Sequence, residues 1–403
     1  MNEKIQNLIR TKICLEQMKM HGGVRTDPYL WIFSSTDNRH FNYNARYLFL
    51  YVKEHCPKIR PRFVINDDVL RASLNLQYGP APGGPGGAEN YFIETKSASG
   101  IRLVLSAGVW FTSAGLPAYG FHLNRGRRIV NLWHGVPLKT IALSDRSESA
   151  FSRLYFKKLF SENYTDVAAT SPAVSRVMRK SLGVPEDRMR TWGQPRCDVL
   201  FEMRDRAAFF GRIYPDYGIL KVSRTVLYAP TFRSGAPVRL FPFADFDRKK
   251  LEAYLEREKI LLCIRMHLNE ADDMPLEESR YVRFLNADRL EDIMEGLSAF
   301  DALVTDYSSI YIDYLLLDRP VIFLPYDLED YRRTHGFSFP FEKVTPGPKP
   351  ESTEAFLQAI SQPSGADPYA KERRKIRRLF YEEAAPCSGR ITADVSARLG
   401  ISV

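Results

Sequence analysis

Two histidines follow apolar runs at positions where an imidazole could act on a substrate. His134 comes directly after residues 129–133 and before Gly135, which lets the backbone approach a ligand. Because the imidazole pKa lies near neutral pH, His134 could be a general base, although a histidine that merely caps the turn fits the same spacing. His267 follows Arg265 after the run at residues 260–264, and this pair could place positive charge on a diphosphate.

Hydroxyl and cationic side chains follow other runs in the second half. Thr231 and Arg233 come after residues 225–229. A hydroxyl-rich turn precedes a helix-like stretch at residues 310–317 and consists of Thr305, Asp306, Tyr307, Ser308 and Ser309. Such a turn offers donors to an anion, but helix capping explains its residue types equally well.

Asp313 lies one helical turn after Ser309 and could accept hydrogen bonds from a ribose. A solvated helix residue is the alternative interpretation of Asp313. A phosphate site at the hydroxyl-rich turn and a diol site at Asp313, one helical turn apart, would together form a nucleotide pocket.

The elements that must position these residues have the pattern of an α/β protein with parallel sheets covered by helices. Short apolar runs predict strands at residues 29–33, 63–65, 101–105, 129–132, 166–169, 225–229, 260–264, 302–305 and 320–324. Ser171 and Pro172 predict the start of a helix that Gly183 ends. Helix-like stretches at residues 354–360, 369–381 and 391–399 close the chain. We expect the domain joint near residues 192–198, where Gly193 and Pro195 interrupt the pattern.

Length and charge restrict the classes of function. The chain has 403 residues, a formal net charge of +9 and 44% hydrophobic residues, which predicts two or three globular domains and an anionic partner. No apolar run reaches the length of a membrane span, so we expect a cytoplasmic protein. The five cysteines are widely spaced, which indicates neither a disulfide framework nor a zinc site.

Other segments carry weaker signals. Asp245 and Asp247 match a DxD metal motif, but their place before a helix favours capping. The GPAPGGPGG segment at residues 79–87 predicts a surface loop rather than a nucleotide cradle. The basic run at residues 371–378 is either a solvated helix or a surface for acidic lipid, and Ile5, Leu8, Ile9 and Ile13 form a candidate amphipathic face.

Six motifs in order resemble the CDP-glycerol glycerophosphotransferase family of teichoic-acid and capsule polymerases and primases. They are NLWHGVPLK at residues 131–139, GQPRCD at 193–198, YAPTFR at 228–233, RMH at 265–267, TDYSS at 305–309 with Asp313, and PYD at 325–327. Residues 37–38 and 44–47 look like the family's amino-terminal signature, and residues 346–347 look like its closing one.

The resemblance implies a GT-B fold, with two Rossmann-like domains facing across a cleft. We expect an acceptor-side domain at residues 1–195, a CDP-donor domain at 196–345, and helices at 346–403 that cross back onto the first domain. It also implies transfer of glycerol phosphate from CDP-glycerol to an acceptor hydroxyl, with release of CMP and with neither a metal nor a cofactor. The acceptor would be lipid-linked, an oligosaccharide or a polymer, and the protein would lie peripherally on the inner face of the membrane.

Carried over by position, the family's roles make His134 and His267 catalytic, as the base and the diphosphate-stabilising group. The residues expected to bind substrate are Lys139, Arg196, Asp198, Thr231, Arg233, Arg265, Thr305, Asp306, Ser308, Ser309 and Asp313. Cys197 and Leu268 depart from the family's pattern, so CDP-ribitol stays an alternative donor. A GT-B sugar-nucleotide glycosyltransferase is a second alternative. A nucleic-acid binder is disfavoured because the basic run lacks interleaved aromatic residues.

Overall fold

Buried runs of aromatic and β-branched residues form the strands of the protein. The structure is a computed structural model, and it describes residues 3–79, 90–145, 148–202, 205–231, 238–265 and 276–403. The chain divides into two units. The first comprises Met1–Gly135, Ile141–Asp198 and Ala385–Val403. The second comprises Val136–Thr140 and Val199–Ala384.

The first unit alternates helices with strands. Its elements are α1 (Glu3–Met20), β1 (Asp27–Ser34), α2 (Tyr43–His55), β2 (Arg60–Val64), α3 (Asp68–Tyr78), β3 (Phe92–Ile93), α4 (Ala98–Leu105), β4 (Ala107–Thr112), β5 (Arg128–Asn131), α5 (Ala150–Phe156), β6 (Asp166–Ala169), α6 (Pro172–Leu182), β7 (Met189–Thr191) and α14 (Ser388–Leu399).

These strands form one parallel sheet in the order β3-β2-β1-β4-β5-β6-β7. The order reverses between β1 and β4, as in the Rossmann arrangement. A topological switch point therefore lies at the carboxyl ends of these two strands. Trp31, Phe33 and Phe111 pack in the core together with Phe49 of α2 and Ile391 of α14. The last helix of the chain therefore completes the core of the first unit.

The second unit repeats the scheme with a smaller sheet. Its elements are α7 (Arg206–Ile213), β8 (Arg224–Tyr228), α8 (Arg248–Glu258), β9 (Ile260–Ile264), β10 (Val282–Phe284), β11 (Ala302–Thr305), α9 (Ile310–Tyr314), β12 (Val321–Phe323), α10 (Leu328–Thr334), α11 (Phe341–Val344), α12 (Thr353–Ser361) and α13 (Ala370–Phe380). The parallel sheet has the order β10-β9-β8-β11-β12, so its switch point lies between β8 and β11.

The predicted class, α/β with two Rossmann-like sheets, is confirmed. Three predicted strands match β6, β9 and β11 residue for residue. The helix predicted after Ser171 is also confirmed, since the Ser171 side chain accepts from Val174 N and Gly183 ends α6 at φ +64°. Parallel strands buried on both faces read as continuous apolar runs, which explains these successes.

The predicted strand at residues 101–105 is wrong, because this segment lies in α4. The Ser97 side chain accepts from Gly100 N at 3.0 Å and begins the helix, whose buried residues are Ile101, Val104 and Leu105. The strand comes next, as β4, and it was not predicted. A short apolar run fits a buried strand or a buried helix equally well.

The two units divide the end of the chain differently from the predicted domains. Helices α12 and α13, at residues expected to pack on the first domain, belong to the second unit, and Ala385–Val403 belongs to the first. Among the described residues, no helix combines the length and hydropathy that a membrane span needs.

Candidate functional site

His134 lies in the loop after β5, where ring and backbone contacts orient its imidazole. The ring centroid lies 4.5 Å from that of Trp133 and 5.2 Å from that of Tyr43. The Nδ1 atom lies 3.2 Å from the carbonyl oxygen of Ser113. Because a carbonyl oxygen can only accept a hydrogen bond, this contact favours the proton on Nδ1, and in the neutral ring Nε2 then carries the lone pair. This tautomer suits a base that accepts a proton at Nε2.

Asn44, at the start of α2, holds the backbone that leads into His134. Its side chain is fully buried, and Nδ2 donates to the carbonyl oxygens of Leu132 at 3.0 Å and Trp133 at 2.8 Å. Its Oδ1 accepts from Arg196 N at 3.1 Å, and Arg196 Nη1 donates to the His134 carbonyl oxygen at 2.8 Å. The structure thus places Arg196, expected to bind substrate, against the loop of His134.

The turn before His134 has an uncommon backbone. Trp133 has a φ of +54°, in the left-handed region that side chains rarely adopt, and its N–H donates to Asn131 Oδ1 at 2.8 Å. Strain of this kind persists where surrounding bonds impose it. Asn131 and Ser113 were missed as positioning residues. The asparagine at a strand end was an available signal for Asn131, whereas Ser113 is far from His134 in sequence and gave none.

At the switch point of the second sheet, Asp306 joins the ends of β8 and β11. Its side chain is 2% exposed, and Oδ1 accepts from Thr231 N at 2.7 Å, from Thr231 Oγ1 and from Tyr307 N at 2.6 Å. Thr305 Oγ1 donates to the carbonyl oxygen of Ala229 at 2.7 Å. The structure brings Thr231, Thr305 and Asp306 together at the ends of β8 and β11, and their bonds fix these strand ends.

Ser308 and Ser309 are partly exposed at the start of α9. Ser308 Oγ accepts from Ile310 N at 3.4 Å. Helix α9 has five residues, which is too short to develop the dipole of a long helix. Any anion contact at this turn would therefore depend on hydroxyl and backbone N–H groups.

Arg265 and Asp313 hold partners within the protein. Arg265 donates from Nη1 to Leu290 O at 2.8 Å and from Nη2 to Glu291 O at 3.0 Å, and burial lowers the pKa of its guanidinium. Asp313 is 1% exposed, and its Oδ1 accepts from Tyr381 Oη at 2.6 Å. In this conformation the tyrosine hydroxyl lies where a ribose hydroxyl was expected.

The remaining predicted residues lie in different settings. Asp198 caps α14, because Oδ1 accepts from Cys387 N at 2.8 Å and Oδ2 from Ser388 N at 2.9 Å. Lys139 is exposed, and its carbonyl oxygen accepts from Ser338 Oγ at 3.0 Å. His267 and Arg233 lie outside the described residues.

The DxD motif acts in helix capping, as its position predicts. Asp247 Oδ1 accepts from Lys249 N at 2.8 Å and Lys250 N at 3.2 Å at the start of α8. Asp245 accepts from Thr353 N at 2.9 Å, and this bond lowers the pKa of its carboxyl. Within the described ranges, no group of three or more His, Cys, Asp or Glu side chains could hold a metal ion.

Comparison with known proteins gives a consistent family match. A model described as CDP-glycerol:poly(glycerophosphate) glycerophosphotransferase matches residues 16–391. The chain is 27% identical over 244 residues to the teichoic acid ribitol-phosphate polymerase TarL of Staphylococcus aureus, covering 60% of this chain and 43% of that protein. It is 26% identical over 378 residues to the teichoic acid poly(glycerol phosphate) polymerase of Bacillus subtilis, covering 90% and 48%. The chain thus spans less than half of either relative.

A solved structure of a variant of the wall teichoic acid polymerase TagF is similar to this chain in fold. The TM-score is 0.72 at 19% identity, covering 98% of this chain and 95% of that one. At this identity the likeness bears on the fold alone.

Proposed function

Because this chain belongs to the CDP-glycerol:poly(glycerophosphate) glycerophosphotransferase family, we propose that it transfers glycerol phosphate from CDP-glycerol to an acceptor hydroxyl and releases CMP. The observation that carries this proposal is the built environment of His134, where Ser113 sets the tautomer and Asn44 and Arg196 hold the loop. A histidine that merely caps a turn does not require this set of buried bonds.

The reaction is a displacement at phosphorus. The acceptor oxygen attacks the β-phosphorus of CDP-glycerol while its proton passes to His134 Nε2. The bond between the β-phosphorus and the bridging oxygen breaks, and CMP leaves with that oxygen and the electron pair. Catalysis of this kind depends mainly on positioning and charge stabilisation. The second unit would bind the nucleotide at its switch point, where the partly exposed Ser308 and Ser309 follow β11.

CDP-ribitol is the second candidate donor. The chain resembles a ribitol-phosphate polymerase and a glycerol-phosphate polymerase at nearly equal identity, 27% and 26%. The polyol lies beyond the diphosphate, so the same phosphate contacts would serve both donors. Comparing CMP release from the two donors separates the alternatives, and two intact donors would contradict the proposed activity.

The His134→Ala variant tests the role of the imidazole. We expect CMP release to fall about 10²–10⁴-fold, the usual contribution of a general base, while donor affinity stays within about twofold. His55→Ala, at an exposed histidine of α2, is the matched control and should keep full activity. If donor affinity falls as much as the rate, His134 belongs to the donor pocket instead.

The acceptor is a lipid-linked or polymeric teichoic-acid chain, which brings the protein to the inner face of the membrane. Two surfaces support this part of the proposal. On α1, Ile5, Ile9 and Ile13 recur every four residues and are 45–52% exposed, whereas its buried residues are Asn7, Thr11 and Cys14. An apolar stripe of this kind suits the lipid interface.

Helix α13 offers positive charge. Its buried Arg373 pairs with Asp318 at 3.0 Å, whereas Lys371, Arg374, Lys375 and Arg378 are exposed. Exposed cations are attracted to acidic headgroups.

Vesicle sedimentation tests the membrane association. The triple variant I5S/I9S/I13S should bind vesicles containing phosphatidylglycerol about tenfold more weakly than the unchanged chain. Leu76→Ser, at a leucine of α3 that is 90% exposed, is the control and should bind normally. Equal binding of all three proteins would remove α1 from the proposal.

A further inference from the structure

The carboxyl edge of the first sheet contains a polar pocket that the proposed chemistry does not use. The pocket has a volume of about 310 Å³, and its wall includes Asn7 of α1, Asn38 after β1, Asn66 after β2 and Tyr119 after β4. The loops after β1 and β4 leave the sheet where its strand order reverses. Parallel sheets bind ligands at such a switch point.

Two of the asparagines are engaged in building the wall. Asn66 Oδ1 accepts from Thr95 N at 2.8 Å, and Asn66 Nδ2 donates to Thr95 Oγ1 at 3.2 Å. Asn7 Oδ1 accepts from Tyr119 N at 2.9 Å and from Thr11 Oγ1 at 3.2 Å. These bonds tie the loop after β2 to the loop after β3, and α1 to the loop after β4, so the wall is fixed before any ligand binds.

Asn38 differs from the other two. It is 2% exposed, and its Nδ2 donates to Leu116 O at 3.0 Å, which fixes the orientation of the amide. Among the described residues, no donor lies within hydrogen-bond distance of Asn38 Oδ1. A buried acceptor without a donor is unfavourable, and a ligand O–H group would satisfy it.

The backbone at this wall is also strained. Asp37 and Asn38 have φ values of +51° and +57°, in the left-handed region. Residues in sparsely populated backbone regions cluster at active sites and ligand clamps.

The rim of the pocket carries balanced charge. Lys4 pairs with Asp37 at 3.0 Å, and Arg39 pairs with Glu3 at 2.8 Å. Since the carboxylates offset the cations, the rim does not select a ligand by its negative charge. The pocket therefore selects by hydrogen bonding, and its buried acceptor favours a ligand group that donates a hydrogen bond, as a hydroxyl does.

We infer that this pocket binds a polyol unit through its hydroxyl groups, with Asn38 Oδ1 accepting from one of them. Residues 113–119 connect the pocket to His134, since Ser113 O faces the imidazole and Leu116 O holds Asn38. On the proposed function, on which this step rests, the polyol belongs to the acceptor chain, whose terminal hydroxyl reaches His134. The pocket would thus bind a unit of the chain behind the reacting end.

Calorimetric titration of the full chain without CDP-glycerol tests the inference. The probes are a synthetic glycerol phosphate trimer and, separately, free glycerol. We expect Asn38→Ala to weaken trimer binding at least tenfold. Lys19→Ala, which removes an exposed ion pair elsewhere on α1, is the matched control and should bind normally. If Asn38→Ala weakens the binding of free glycerol as much as the binding of the trimer, the result supports the pocket and assigns a free polyol as its ligand.

Trimer binding that is unchanged in Asn38→Ala would overturn the inference. If Asn38→Ala does not fold, Lys4→Trp at the exposed rim replaces it, because an indole there would fill the mouth while leaving the buried bonds intact. Unchanged binding by Lys4→Trp would likewise overturn it. CMP release is assayed separately with the unchanged chain, so failure of the pocket and failure of the proposed activity are distinguishable.

Discussion

The imidazole of His134 depends on residues that come from distant parts of the sequence. Asn44, Ser113 and Arg196 each form one or more bonds to the segment at residues 132–134, and all three are at most 9% exposed. The role of Asn44 is specific, because its amide donates to two carbonyl groups and accepts from one N–H group at once. An aspartate of the same shape could not donate those two bonds.

Asn44→Ala should lower kcat for CMP release about tenfold to a hundredfold while leaving the KM for CDP-glycerol nearly unchanged. The variant leaves buried backbone groups of the His134 loop unpaired, so we also expect a loss of about 2 to 4 kcal/mol in the free energy of unfolding. Steady-state kinetics and urea denaturation measure the two effects.

The matched control is Asn75→Ala. Asn75 donates to Phe92 O and accepts from Phe92 N, both at 2.9 Å, within the same unit. It should therefore lose stability without losing kcat. A fall in kcat equal to that of Asn44→Ala would show that general loosening of the unit, rather than the His134 loop, limits turnover.

The sequence predicts where a candidate functional residue lies when its place depends only on the residues next to it in the chain. The strand-end placement of His134, Thr231 and Asp306 follows from apolar runs and the turns after them. The partners of Arg265 and Asp313 could not be predicted in this way. Those bonds join residues that meet only in the folded chain, and a guanidinium or carboxylate at a strand end or helix start has the same sequence pattern whether it binds backbone or ligand.

At the scale of elements, helix ends show how capping fixes the architecture. The carboxylate of Asp198 accepts hydrogen bonds from the N–H groups at the start of α14, although Asp198 lies nearly two hundred residues earlier in the chain. Ile391 and Val395 on this helix are fully buried in the first core. One aspartate therefore couples the end of the chain to the loop after β7.

Asp198→Ala should lower the free energy of unfolding by about 1 to 2 kcal/mol, because two N–H groups at the start of α14 lose their acceptor and the favourable charge at the helix N-terminus is removed. Hydrogen exchange should accelerate first in α14. Asp205→Ala removes the cap of α7 in the second unit and is the control, with faster exchange expected in α7. Protection of α14 that stays unchanged in Asp198→Ala would contradict the capping role.

Elements with strong caps and long periodic patterns were predictable, and short ones were not. The ends of α6 follow from a serine, a proline and a glycine in the positions that favour them. Strand β3 has two residues and β10 has three, so neither carries a pattern of its own. Their pairing with β2 and β9 defines them, and that pairing is a tertiary contact.

At the scale of the whole molecule, all five cysteines are buried thiols. Burial raises the pKa of the Cys56 thiol, raises that of Cys263 to about 12, and raises that of Cys387 well above its usual value. Because the thiolate is the reacting species, these groups should be unreactive at neutral pH. The odd number and wide spacing of the cysteines already indicated that they would not form a disulfide framework.

Titration with a thiol reagent at pH 8 should therefore modify fewer than one cysteine per folded chain within an hour and all five in guanidinium chloride. Rapid modification of one thiol in the folded protein would indicate local opening. Mass analysis of the labelled peptide would then show which core opens.

The discontinuous first unit has a consequence for synthesis of the protein. The chain passes between the units after Gly135, Thr140, Asp198 and Ala384. Trp31 and Phe49 are made before the second unit, whereas Ile391 and Val395, which pack in the same core, are made after it. The amino-terminal half must therefore wait on the ribosome with an apolar surface uncovered while the second unit is translated. Chaperones that shield nascent chains would act during that interval.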